Sequence, residues 1–185
     1  MKSRGELPHL YKEGGVYFVT FRLADAVDPD AAPIVIPADA TCEEIAKAAE
    51  PPLRAGSCVL ARKDIAEIVQ NALRHFEGQR YLLVAWCVMP NHVHVMFGPL
   101  AGHTPSQILQ SWKGFTARRA NQILGKSGTF WERESFDHLI RNERGLGWYT
   151  DYVHHNPVQA GLCENACEWP YSSEGTGFTT RIFET

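Results

Sequence analysis

Residues 80–97 restrict the fold more than any other stretch. Residues 80–88 read Arg-Tyr-Leu-Leu-Val-Ala-Trp-Cys-Val, and residues 92–97 read His-Val-His-Val-Met-Phe after the interruption Met89-Pro90-Asn91. Both runs are dense in β-branched and aromatic residues, which suit a pleated, packed surface. Pro90 presets a turn backbone and Asn91 tolerates one, so the two runs form a hairpin with a short Pro-Asn turn. Strands this apolar must be covered, so helices are required elsewhere in the chain.

The neighbouring patterns supply them. Val16 to Leu23, after Gly14-Gly15, reads as a buried strand. Arg62 to Gly78 carries Ile65, Ile68, Val69, Ala72, Leu73 and Phe76 at helical spacing and stops at a glycine. Pro105 to Leu124 is a second long helix, with Thr104 as N-cap and Pro105 in the first turn. Phe136 to Ile140 is a short strand, and a last helix runs from about Glu143 to Asn156, where Pro157 should stop it. The first six elements spell βαββαβ. The expected fold is therefore α+β, a ferredoxin-like sandwich with one more helix at the C-terminal end. Its sheet would carry both crossover helices on one face and leave the other free.

Residues 25–60 are different in kind. Pro29, Pro33, Pro37, Pro51, Pro52 and Gly56 interrupt any long element, although Thr41 and Glu44 make a capping box for a short helix to about Glu50. The segment reads as an irregular insertion in a single catalytic domain spanning 1–185. The polar stretch after about residue 165 reads as a coil-like tail on the surface.

Composition removes several classes of function. Of 185 residues, 44% are hydrophobic and 21% charged, which is a globular balance and excludes wholesale disorder. No run approaches the roughly 18 apolar residues of a membrane span, and the first residues lack a signal-peptide core, so a cytoplasmic protein without a membrane partner is expected. Cys42, Cys58, Cys87, Cys163 and Cys167 are odd in number and contain no C-x-x-C pair, which fits reduced thiols. His154, His155, Cys163 and Cys167 could gather a zinc ion, but their spacing matches no common finger. The net charge of −3 argues against a protein that grips duplex DNA through broad phosphate neutralisation. Residues 112–144 are nevertheless locally basic, and Lys113, Arg118 and Arg119, with Arg4 in the basic N-terminal segment, are candidate nucleic-acid contacts.

Chemistry is concentrated at His92-Val93-His94. On a strand, residues i and i+2 share a face roughly 6.5–7 Å apart at Cα, so both imidazoles can converge on one cation while Val93 enters the core. On this motif alone a hydrogen-bonded pair without a metal is equally admissible. Tyr152 and Asn156 are four apart on the last helix and so lie on one face. Asn156 offers an amide oxygen suited to a hard divalent ion, and if it reaches the metal it carries Tyr152 alongside.

Five stretches in order then carry a resemblance: residues 15–23, 85–94, 112–116, 128–137 and 152–158. Together they resemble the REP-associated tyrosine transposases, single-tyrosine enzymes with a His-hydrophobic-His signature, over most of residues 5–172. The resemblance implies His92 and His94 as the metal pair, Asn156 as third ligand and Tyr152 as nucleophile, with Tyr149 a minor rival three residues away. It further implies Mg2+ or Mn2+, a covalent 5′-phosphotyrosine intermediate, and cleavage and rejoining of single-stranded or hairpin DNA from palindromic repeats. Monomer and homodimer both stay open. Two alternatives differ in kind: a non-catalytic regulator that binds single-stranded nucleic acid on the same fold, and a hydrolase using metal-bound water with Tyr152 structural.

Overall fold

The structure, a computed structural model, describes Lys12, residues 14–26, Pro37, residues 39–52 and residues 55–182. Its strands are β1 (Val16–Arg22), β2 (Tyr81–Val88), β3 (His92–Pro99) and β4 (Phe136–Ile140). Its helices are α1 (Cys42–Ala49), α2 (Lys63–Arg74), α3 (Pro105–Leu124) and α4 (Glu143–Gln159). The sheet order is β2-β3-β1-β4 and every pairing is antiparallel. Setting α1 aside, this is the βαββαβ arrangement expected from the sequence, with α4 added. Among the described residues no helix is long and apolar enough to cross a membrane.

Alternation along the strands divides the interior in two. Tyr17, Val19, Phe21 and Leu23 of the β1 segment join Val93, Val95 and Phe97 of β3 beneath α2 and α3. Phe18 and Met96 face the other way, against Tyr149 and Val153 of α4 and Ile45, Ala46 and Ala49 of α1. The second face is thus covered by α4 and α1 rather than left free. In β2 a register shift between Leu83 and Ala85 puts Leu83 and Trp86 on one side despite their three-residue spacing.

Local signals account for the helix boundaries. Thr104 and Gln107 form a reciprocal capping box at the start of α3, and Gly125 ends it in the left-handed region at φ 61°. Thr41 and Glu44 form the corresponding box on α1. One boundary differs from expectation: α4 continues through Pro157 to Gln159. The proline removes the N–H that would bond Val153 O, yet the helix closes beyond it, because Ala160 N reaches Asn156 O at 3.0 Å and Leu162 N reaches Pro157 O at 2.9 Å.

The tail is also more than surface coil. Val88 N donates to Tyr171 O and Ser173 N to Trp86 O, both at 2.9 Å, so residues 171–173 occupy the outer edge of β2. An unpaired edge of this apolarity would invite association, and the tail blocks it.

Tyr81 pins the helical face. Its hydroxyl donates to Leu73 O at 2.7 Å and accepts from Trp112 Nε1 at 2.9 Å, linking α2, β2 and α3. Tyr81→Phe should cost about 1–3 kcal/mol, because the buried indole N–H and carbonyl lose their partner. Equilibrium urea unfolding checks this; an unchanged midpoint would show that the pair contributes nothing.

Candidate functional site

β3 presents His92 and His94 on the α4 side of the sheet, both fully buried at 0% exposure. Each ring is oriented by a hydrogen bond at Nδ1. His92 Nδ1 lies 2.8 Å from Asn91 Oδ1, and His94 Nδ1 lies 2.8 Å from Thr20 Oγ1 on β1. Asn91 Nδ2 donates to Pro52 O at 2.8 Å and Ala55 O at 3.0 Å, which identifies its other atom as the carbonyl oxygen. His92 Nδ1 must therefore be the donor, and neutral His92 turns the lone pair of Nε2 into the site. The two Nε2 atoms are 3.0 Å apart.

α4 brings Tyr152 and Asn156 to the same place, as their four-residue spacing demands. The Tyr152 ring lies 5.4 Å from His94 between centroids and stacks on Trp148 at 5.5 Å. The centre of the cluster is a residue the sequence reading did not select, Glu50, which follows the last turn of α1. Its Oε1 is 3.2 Å from His92 Nε2, and its Oε2 is 3.1 Å from both His94 Nε2 and Asn156 Nδ2. The Tyr152 hydroxyl donates to the same Oε2. The 25–60 segment is thus part of the site. Its downstream end is fastened by the two bonds from Asn91 and by Gly56, which packs against Asp25 at φ 75° where a Cβ would stand 2.6 Å from Asp25 O.

Tyr149 lies elsewhere. It stacks on Phe18 at 4.8 Å, and its buried hydroxyl makes no hydrogen bond to the cluster.

Burial penalises the Glu50 charge, but the His92 and His94 imidazoles beside it outweigh that and hold its carboxyl well below the usual range. Burial and the neighbouring His94 lower His92 to about 4, against the pull of Glu50. Burial and the Glu50 charge push Tyr152 up. At neutral pH the cluster therefore holds an ionised Glu50, a neutral His92 and a protonated Tyr152. The protein groups alone do not favour a phenolate.

The donor set can hold a divalent metal ion. Glu50, His92 and His94 each offer one atom, all within 4.8 Å of one another. Bonds of about 2.1 Å at adjacent octahedral corners place ligand atoms about 3.0 Å apart, which the imidazole nitrogens match. Asn156 Oδ1 is buried without a hydrogen-bond partner, an uncompensated acceptor on a residue already touching the cluster. His154 instead bonds Ser173 Oγ at 2.9 Å, and His155 Nδ1 lies 2.9 Å from Asp151 O. Neither joins Cys163 or Cys167 in a metal-type cluster among the described residues.

The basic candidates lie apart from this centre. Lys113 Nζ is engaged by Arg133 O at 2.9 Å, Ser135 Oγ at 3.0 Å and Glu134 O at 3.4 Å, so its ammonium clasps the chain after residue 132. Arg118 and Arg119 are exposed on α3, across the sheet from the histidines. Arg4 lies outside the described residues.

Residues 59–156 match the family described as Transposase IS200 like, more than half of the chain. The chain belongs to the IS200-like transposase family. A Haemophilus influenzae protein named as a REP-associated tyrosine transposase is 31% identical over 49% of this chain and 57% of its own length. A REP-associated tyrosine transposase of Escherichia coli K12 is 26% identical over 48% of this chain and 52% of its own length. The chain thus spans about half the length of the curated relatives it matches. A solved structure described as a REP-associated tyrosine transposase bound to a REP hairpin superimposes with a TM-score of 0.64. It covers 93% of this chain and 84% of its own, at 20% identity, a likeness of fold.

The cluster makes stability depend on pH. Between pH 6.5 and 4 the unfolded chain takes up a proton on His92 that the folded chain refuses, and below about pH 4.5 it does the same on Glu50. Both effects weaken the fold as pH falls. In EDTA, the His92 share should reach on the order of 3 kcal/mol near pH 4. Thermal unfolding from pH 7 to 4, compared with His92→Asn, measures it; parallel curves for the two proteins would disprove the assignment.

Proposed function

We propose that the chain is a metal-dependent single-strand DNA endonuclease and strand transferase, acting on hairpin or palindromic DNA through a covalent bond to Tyr152. One observation carries this reading: Tyr152, Asn156, His92 and His94, from two separate elements, converge on the single carboxylate of Glu50.

His92, His94 and Glu50 would hold a Mg2+ or Mn2+ ion, with Asn156 Oδ1 as a further oxygen donor once its amide turns. Such an ion, when bound, withdraws charge from the phosphate oxygens and offsets the Glu50 charge. The residues supply the rest. The Trp148 stack and the His94 edge hold the Tyr152 ring so that its oxygen can approach phosphorus in line. Glu50 accepts the phenol hydrogen bond and so aims the Tyr152 hydroxyl, whose proton passes to water as the oxygen attacks. The Tyr152–phosphorus bond forms, the bond to the leaving oxygen breaks, and that oxygen takes a proton from water and leaves as a 3′-hydroxyl. The new ester retains the energy of the old one, so a second 3′-hydroxyl can reverse the step without a nucleotide cofactor.

Incubation with a labelled, hairpin-containing single-stranded oligonucleotide and Mg2+ or Mn2+ should give an adduct that survives denaturing electrophoresis. Tyr152→Phe should abolish the adduct and keep DNA binding, while Tyr149→Phe should keep both. Cleavage without an adduct would favour a metal-bound water as nucleophile, and binding alone a regulator. Separately, Glu50→Gln should weaken Mn2+ binding by about tenfold or more in calorimetric titration; unchanged affinity would remove Glu50 from the ligand set.

A further inference from the structure

Thr20 and Arg22 of β1 stand opposite His94 and His92 in the antiparallel register, on the same face of the sheet. Directly opposed residues have Cβ atoms about 4.5–5.5 Å apart. Thr20 is explained by its bond to His94 Nδ1. Arg22 has no role in the chemistry above, although among the described strand residues it is the one lysine or arginine beside the histidine pair.

The Arg22 guanidinium is held from one side. Its Nε donates to Glu132 Oε2 at 2.9 Å, and both side chains are 21% exposed. Among the described residues Glu132 is its only side-chain partner. A guanidinium has five N–H donors, and an ion pair built for stability alone commonly uses two of them in a fork. Contact through Nε only leaves the terminal nitrogens available to a second anion.

Glu132 is itself fixed. Its backbone N–H donates to Arg22 O at 2.9 Å, and Trp131 bridges Leu23 in the strand direction. Trp131 Nε1 donates to Thr116 Oγ1 at 2.8 Å, and Lys113 clasps residues 133–135. The carboxylate that aims Arg22 is therefore rigid from both sides.

We propose that Arg22, aimed by Glu132, is a phosphate-binding residue of the site, holding a non-bridging oxygen of the DNA strand beside the His92–His94 pair. The inference rests on the DNA-processing reading above. Its physical reason is charge: the cluster carries an ionised Glu50, which repels a phosphodiester, and the cation reaching this place in the sheet is Arg22. Glu132 is a positioning residue.

The test measures binding of a fluorescent hairpin-containing single-stranded oligonucleotide across a KCl series with Mg2+, every variant carrying Tyr152→Phe so that no strand breaks. Arg22→Gln should bind about five- to tenfold more weakly and lower the slope of log K against log salt by roughly 0.7, the share of one phosphate contact on a single strand. Arg22→Lys and Glu132→Gln both keep the cation and should keep the slope. A merely structural ion pair predicts the opposite pattern: Arg22→Gln and Glu132→Gln lose thermal stability alike, and neither changes the slope. Should Arg22→Gln fail to fold, Arg22→Gln with Glu132→Gln removes both charges together and carries the same slope test. Full binding with an unchanged slope in the variant lacking Arg22 overturns this inference and leaves the DNA reading standing. No DNA binding by the parent protein overturns the DNA reading itself.

Discussion

Withdrawing an ionised carboxylate from water is costly, so the chain must answer the partly buried Glu50 charge. It does so from the sheet and from the helix that covers it: the His94 imidazole on β3, and an amide and a phenol on α4. Apolar packing docks α4 and α1 on the sheet and Asn91 and Thr20 orient the imidazoles, and Glu50 lies where these elements converge. Arrangements that formed only some of these contacts would leave a charge or a donor stranded in a medium that screens poorly. The same carboxylate gathers the groups that the chemistry needs, so stability and reactivity make the same geometric demand here.

The sheet keeps two kinds of interior apart. Beneath α2 and α3 lies an aromatic and aliphatic core whose polar atoms, such as the Tyr81 hydroxyl and the Trp131 and Trp112 indole nitrogens, are paired locally. On the other face the site's polar groups are paired with one another across elements, and among the described residues Asn156 Oδ1 and the Tyr149 hydroxyl are left over. Val93, between the two histidines, belongs to the first interior and they to the second. A strand period of two is what allows a dry scaffold and a reactive surface to share three consecutive residues.

Much of this was legible in the amino-acid order, because it depends on short-range rules. The span of α3, the capping boxes at Thr104 and Thr41, the span of β4 and the common face of His92 and His94 are all written within a few residues of themselves. The common face of Tyr152 and Asn156 is equally local. Glu50 was not legible. It lies 42 residues before His92 in a stretch broken by prolines, and only the tertiary bonds of Asn91 to Pro52 and Ala55 show why the chain must return there. The helix stop expected at Pro157 was misplaced because the backbone bonds beyond the proline close the last turn despite the one it removes. A lysine such as Lys113 reveals a charge in sequence but not which carbonyls surround it. Arg22 was overlooked for the converse reason, a lone cation on an apolar strand whose significance comes from the residue across the register.

The double duty of Asn91 has a consequence for how such a chain can vary. Its oxygen sets the tautomer of His92, while its nitrogen tethers the returning segment at Pro52 and Ala55. Insertions or deletions between β1 and α1 are therefore insulated from the reactive centre, since the exit of that segment is moored to the strand turn and not to its own path. Length can drift upstream of the mooring, whereas a change at residue 91 would disturb two distant parts of the site at once.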